Sequence, residues 1–228
     1  EFLSELVVSN DGKKIAYKKT RANEKDNKYY TKLFVFDKDL GKSYRLTDSG
    51  NNPICAFDKD NNLIYKRYTD DETDRFYISD GAGLGEKIFK LDLDVKSIKW
   101  LKDDIFLISA SKKKSKEEKE TEKENSYFKE LTTLPFWFNG AGYLKDTTTY
   151  YYLYKLSDKS LTEILKSDKD NSVGIVDIDE NLEKIVYTRG HEDSNRVMEF
   201  LDSIVVKNLK TGEEKILSEK SHSIFTIK

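Results

Sequence analysis

Apolar segments and turn residues alternate along the chain in a pattern that recurs roughly every 40–50 residues. Each unit opens with an apolar segment, passes through an Asp/Asn/Gly turn and continues into an apolar triplet. The first reads Leu6-Val7-Val8, Asn10-Asp11-Gly12, Ile15-Ala16-Tyr17. The second reads Ile54-Cys55-Ala56-Phe57, Asp60-Asn61-Asn62, Leu63-Ile64-Tyr65. The third reads Ile98-Lys99-Trp100-Leu101, Asp103-Asp104, Ile105-Phe106-Leu107-Ile108, and the fourth Val173-Gly174-Ile175-Val176, Asp179-Glu180-Asn181, Ile185-Val186-Tyr187. Tyr17 to Tyr65 is 48 residues and Tyr65 to Leu107 is 42, but Leu107 to Tyr187 is 80, so the third unit carries an insertion. A second hairpin signal closes the units: Lys32–Asp37 returning as Ser43–Thr47, Tyr150–Leu156 as Ser160–Leu165, and Ser203–Lys207 as Glu214–Leu217. The second unit returns through Glu86–Leu91.

Four antiparallel strands per unit of about 45 residues predict an all-β chain, a partial β-propeller of four blades plus the start of a fifth. The blades fall at about 3–48, 52–91, 95–166 (insertion 111–148) and 172–218, and the fifth begins at 221. Runs such as Ile105–Ile108 are apolar at every position, which a strand needs when both faces of its sheet are covered. A β-sandwich of short strands is the alternative that the pattern leaves open. The chain begins and stops inside strand-like sequence, so the expectation is one propeller segment of a larger protein.

Composition limits the chemistry. Lys and Arg number 40 against 42 Asp and Glu, a net charge of −2, so the whole-chain basic excess that nucleic-acid binding uses is missing. Apolar runs such as Leu33–Phe36 are four residues long, against about 20 for a membrane span. No signal-peptide pattern opens the sequence, and the single cysteine, Cys55, cannot form an internal disulfide. The expectation is a soluble cytoplasmic chain with no nucleic-acid or membrane partner and no cofactor or metal.

Blade hallmarks narrow the propeller type. A strand-ending Trp-Asp dipeptide and the Ser-x-Asp-x-Gly-x-x-Trp box are both absent from the sequence. What is present is Ser9-Asn10-Asp11-Gly12-Lys13-Lys14-Ile15-Ala16-Tyr17 and Gly41-Lys42-Ser43-Tyr44-Arg45-Leu46-Thr47-Asp48. These resemble the repeats of the prolyl oligopeptidase family and of TolB-like propellers, with Asn10 where proline is usual. Within the insertion, Phe136-Trp137-Phe138-Asn139-Gly140-Ala141-Gly142-Tyr143 leads into the strand at Tyr150. This resembles the third-blade segment of the acylaminoacyl-peptidase-like branch.

That resemblance implies an N-terminal propeller joined to a C-terminal α/β-hydrolase domain that carries a Ser-Asp-His triad. The propeller would admit peptides to the catalytic domain and exclude folded proteins. No Gly-x-Ser-x-Gly occurs in this chain, and its two histidines, His191 and His222, lack the matching context, so no catalytic residue is carried over. The partners it implies are the hydrolase domain of the same parent and a peptide substrate. A stand-alone TolB-like propeller that binds protein or peptide is the competing reading.

Other clusters weigh less. Gly81-Ala82-Gly83-Leu84-Gly85 precedes a strand, not a helix, and so reads as a hairpin turn and not a phosphate loop. His191-Glu192-Asp193 reads as a charged loop, and Cys55 as a small buried hydrophobe. In residues 112–124 attractive and repulsive i,i+4 pairs cancel, which predicts a solvated, mobile excursion and no stable helix. Phe136, Trp137 and Phe138, with Tyr143, are the candidate interface or substrate-passage residues; they either plug a blade edge or face a partner domain.

Overall fold

A computed structural model describes residues 1–47, 55–67, 74–80, 85–124, 137–138, 142–143, 148–167, 172–192 and 198–222. The first sheet contains β1 (Phe2–Val8), β2 (Lys14–Asn23), β3 (Lys28–Asp37) and β4 (Lys42–Arg45). The second contains β5 (Cys55–Phe57), β6 (Leu63–Arg67), β7 (Asp74–Ser79) and β8 (Glu86–Leu91). Then come β9 (Leu93–Lys102), β10 (Ile105–Lys112), helix α1 (Lys116–Glu124), the short strands β11 (Trp137–Phe138) and β12 (Gly142–Tyr143), β13 (Tyr150–Lys155) and β14 (Ser160–Lys166). The third sheet has the order β14-β13-β10-β9, with α1 and the β11–β12 pair between its second and third strands in sequence. The fourth contains β15 (Val173–Ile178), β16 (Lys184–Glu192), β17 (Met198–Asn208) and β18 (Glu214–His222). Neighbours in each four-stranded sheet are consecutive strands of that sheet, and the strands of the first, second and fourth pair antiparallel.

Residues 221 and 222 end β18, and 223–228, where most of the expected fifth unit falls, lie outside the described residues. The chain divides into two compact units, Glu1–Ala110 with Tyr151–Thr162 and Ser111–Tyr150 with Glu163–Lys228. The dividing line runs through the third sheet.

In the first unit, the first and second sheets share a core of Ala16, Leu33, Val35, Leu46, Leu63 and Tyr65, none more than 1% exposed. The next layer is aromatic. Phe76 stacks on Phe89 at 4.5 Å, and Phe89 meets Tyr154 of the third sheet at 4.5 Å. β6 therefore lies between two neighbours. Leu63, Ile64 and Tyr65 are all 0% exposed, and Lys66 is 1% exposed with its Nζ donating to the Val95 carbonyl at 3.1 Å. Coverage on both faces is the reason its sequence does not alternate.

The first hairpin of three sheets turns on one repeated device. Ser9 Oγ accepts from Lys14 N at 2.9 Å, Asp58 Oδ1 from Asn62 N at 2.8 Å and Asp179 Oδ1 from Lys184 N at 2.7 Å. Each turn contains one left-handed residue: Gly12 at φ 70°, Asn61 at 60° and Leu182 at 58°. Glycine and asparagine adopt that region readily, whereas leucine carries strain there.

The helix α1 corrects the expectation for residues 112–124. Ser115 Oγ accepts from Glu118 N at 3.1 Å, while Glu118 Oε2 accepts from Ser115 N at 2.7 Å. This reciprocal capping box satisfies two amide groups that a bare helix start leaves unpaired, and Glu117 and Glu118 also favour the N-terminal dipole. The balance of side-chain pairs is near zero, so the cap decides. The helix side chains that the structure describes are exposed.

Candidate functional site

The insertion brings two of the candidate aromatics together through backbone register. β11 pairs antiparallel with β12, Trp137 opposite Tyr143 and Phe138 opposite Gly142. Positions along a strand alternate between faces, so 137 and 143 belong to one face of this pair and 138 and 142 to the other. Phe136 lies outside the described residues, as do the side chains of Trp137, Phe138 and Tyr143. The choice between plugging a blade edge and facing a partner domain therefore falls outside what the structure describes. The side chains of Cys55, His191, Glu192 and His222, and residues 81–84 and 193, lie outside it as well.

A polar cluster on the fourth sheet has no local sequence signal. It forms because register aligns Ile185 with Lys207 and Lys207 with Glu214, two residues along the strands from Tyr187 opposite Val205. Arg189 donates through Nη2 to the Tyr187 hydroxyl and to Glu214 Oε2, the latter at 2.5 Å. Its guanidinium carbon stands 5.4 Å from the centre of the Tyr187 ring. Lys207 Nζ is 4.0 Å from Glu214 Oε1 and donates to the Ile164 carbonyl at 3.2 Å. Burial, reinforced by the Glu214 carboxylate, pushes the Tyr187 phenol up to about 12. Burial would also raise Glu214, but the hydrogen bonds from Arg189 and Tyr187 outweigh it and hold the carboxyl below the usual range. A phenol that keeps its proton and a carboxylate already held by a guanidinium make a poor general base. The cluster ties β16 to β18.

Among the described residues no group of three His, Cys, Asp or Glu side chains could hold a metal ion. No described helix is long and apolar enough to cross a membrane.

No protein family and no curated protein matches the sequence. Solved structures do match. Acylaminoacyl peptidase of Pyrococcus horikoshii superposes with a TM-score of 0.67 at 20% identity, over 96% of this chain and 33% of that one. The β-propeller domain of the Trilobed protease from Pyrococcus furiosus gives 0.56 at 16% identity, over 96% and 57%. TolB from Acinetobacter baumannii gives 0.53 at 14% identity, over 98% and 45%. The chain thus spans about a third of the length of the peptidase. At these identities the likeness is one of fold, and the four antiparallel sheets are those of a β-propeller, built like part of acylaminoacyl peptidase.

Proposed function

We propose that the chain is the propeller region of a serine peptidase resembling acylaminoacyl peptidase, and that it limits which peptides reach a catalytic α/β-hydrolase domain. The observation that carries this reading is the superposition on the Pyrococcus horikoshii enzyme over 96% of the chain. An acylaminoacyl peptidase that this chain also superposes on has been solved with Z-Gly-Gly-Phe-chloromethyl ketone, a peptide-like molecule. The aromatic insertion supports the same reading. Trp137 and Tyr143 are paired across β11 and β12, a pairing that suits a surface contacting peptide or a partner domain. We place the protein in the cytoplasm.

The test has two steps. The reading frame around this sequence should encode a hydrolase domain with Gly-x-Ser-x-Gly, and the whole protein should label with an active-site serine probe. In that protein Trp137→Ala with Phe138→Ala should shift the ratio of kcat/KM values for short and long peptides, with hydrolysis of the shortest ester unchanged. A reading frame without a hydrolase domain overturns the proposal.

The TolB superposition, over 98% of this chain, supports a second reading as a stand-alone binding propeller. A secretion signal encoded upstream, with no hydrolase domain downstream, would establish it.

A further inference from the structure

Two arginines of the second sheet stand directly opposite each other. Register pairs Arg67 on β6 with Arg75 on β7, two residues along from the pair Tyr65 and Tyr77. Alternation along the strands puts all four residues on one face. That face looks toward the first sheet, because Tyr65 belongs to the core shared with Ala16, Leu33 and Val35, and Tyr77 packs against that core. The face is therefore covered within this chain, and its chemistry does not depend on what flanks the four sheets.

Like charges directly opposite on a sheet repel. Both arginines are half-buried, where water and salt screen them less. The rings fix the geometry. Tyr65 and Tyr77 stack with centroids 6.0 Å apart, and the Arg67 guanidinium carbon lies 4.9 Å from the centre of the Tyr77 ring. Stacking occupies the face of a guanidinium and leaves its fork of N–H groups to donate. On the facing side of the first sheet the charges are already matched. Beyond Ala16, the residues of β2 on that face are Lys18 and Thr20, both buried. The Lys18 ammonium donates to the Glu5 carboxylate, and the Thr20 hydroxyl bonds to that of Thr31 at 2.9 Å. Asp74, beside Arg75 in β7, belongs to the opposite face by the same alternation.

We propose that Arg67 and Arg75 form a clamp for the carboxylate of a peptide. A guanidinium and a carboxylate are planar and pair through two parallel hydrogen bonds, and a second guanidinium across the strands holds the same anion while relieving the repulsion between the two. The proposal rests on the peptide contact that both readings above assume, and it adds what neither states: the chain favours peptides that carry a free carboxylate.

Isothermal titration of the 228-residue chain tests this with three N-acetylated four-residue peptides. The first is all alanine with a free C-terminal carboxylate, the second is its C-terminal amide, and the third is that amide with one alanine replaced by glutamate. At low salt at least one of the two charged peptides should bind about fivefold more tightly than the neutral amide. Which of them gains tells a C-terminal from a side-chain carboxylate. Arg67→Gln and Arg75→Gln should each abolish the preference, and Arg75→Lys should keep only part of it, since an ammonium cannot pair bidentately. Equal binding of the three peptides, no binding, or a preference that survives both Gln variants overturns the proposal. Should the Gln variants misfold, salt replaces them: the preference of the wild-type chain should shrink as NaCl rises, and one that ignores salt overturns the proposal. The residues between β6 and β7 include Asp70, Asp71 and Glu72. A preference that appears only with Asp70→Asn, Asp71→Asn and Glu72→Gln together would give the clamp to the chain's own carboxylates, and the proposal would fall. A reading frame without a hydrolase domain overturns the peptidase reading and leaves this result untouched.

Discussion

Gly85 precedes β8 at φ 68°, and a Cβ there would meet the Ile78 carbonyl oxygen at 2.2 Å. The obstacle is backbone of the adjacent strand β7, which cannot yield without loosening the hairpin. Gly12 has a similar φ of 70° but nothing within 4 Å of its Cβ position. Gly85→Ala should therefore cost more than about 2 kcal/mol, and Gly12→Ala about 1 kcal/mol. Urea unfolding of the two variants separates them, and equal losses would show that the second-sheet turn adapts. Glu214 gives a prediction of a different kind. Its carboxyl sits below the ordinary 4.5 in the folded chain, so the stability it contributes is present above that value and is lost as pH falls through the folded one. Glu214→Gln should be less stable than wild type at neutral pH, with the gap closing on acidification. A gap that widens towards acid would reverse the sign. The glycine cluster at 81–85 identifies a hairpin in the sequence, whereas the Arg189–Glu214 pair is 25 residues apart and becomes visible only through strand register.

At the scale of the element, α1 depends on its first turn. Ser115→Ala removes the oxygen that accepts from Glu118 N and should cost the helix about 1 kcal/mol. The described helix side chains are exposed, so the loss stays local. Amide exchange within 116–124 should quicken by about fivefold while the unfolding midpoint of the sheets stays put. A fall in that midpoint would show that the helix is docked. Ser115-x-x-Glu118 is legible in the sequence as a capping box, and the i,i+4 arithmetic alone misses it because it counts side-chain pairs and not backbone amides. Strand β7 is less legible. It opens with Asp74-Arg75, and only burial of Phe76 at 0% exposure shows why the segment extends as a strand. The two-residue strands β11 and β12 rest on pairing across a connection, which no window of either strand alone displays.

For the whole molecule, the 228-residue chain by itself should not hydrolyse acyl-peptide or aminoacyl ester substrates. It contains no Gly-x-Ser-x-Gly, and a serine hydroxyl without a positioned base is a weak nucleophile. Turnover by highly purified protein that disappears on mutating one of its serines would contradict this. The sequence by itself determined the four repeating units and their hairpins, because side-chain period and turn chemistry are local properties written within a few residues. Only the tertiary structure decided which faces are sealed. Ile15-Ala16-Tyr17 and Ile185-Val186-Tyr187 are nearly the same string, yet Tyr17 is partly open and Tyr187 is 0% exposed. Burial depends on what lies across the sheet, and that neighbour comes from a distant part of the chain.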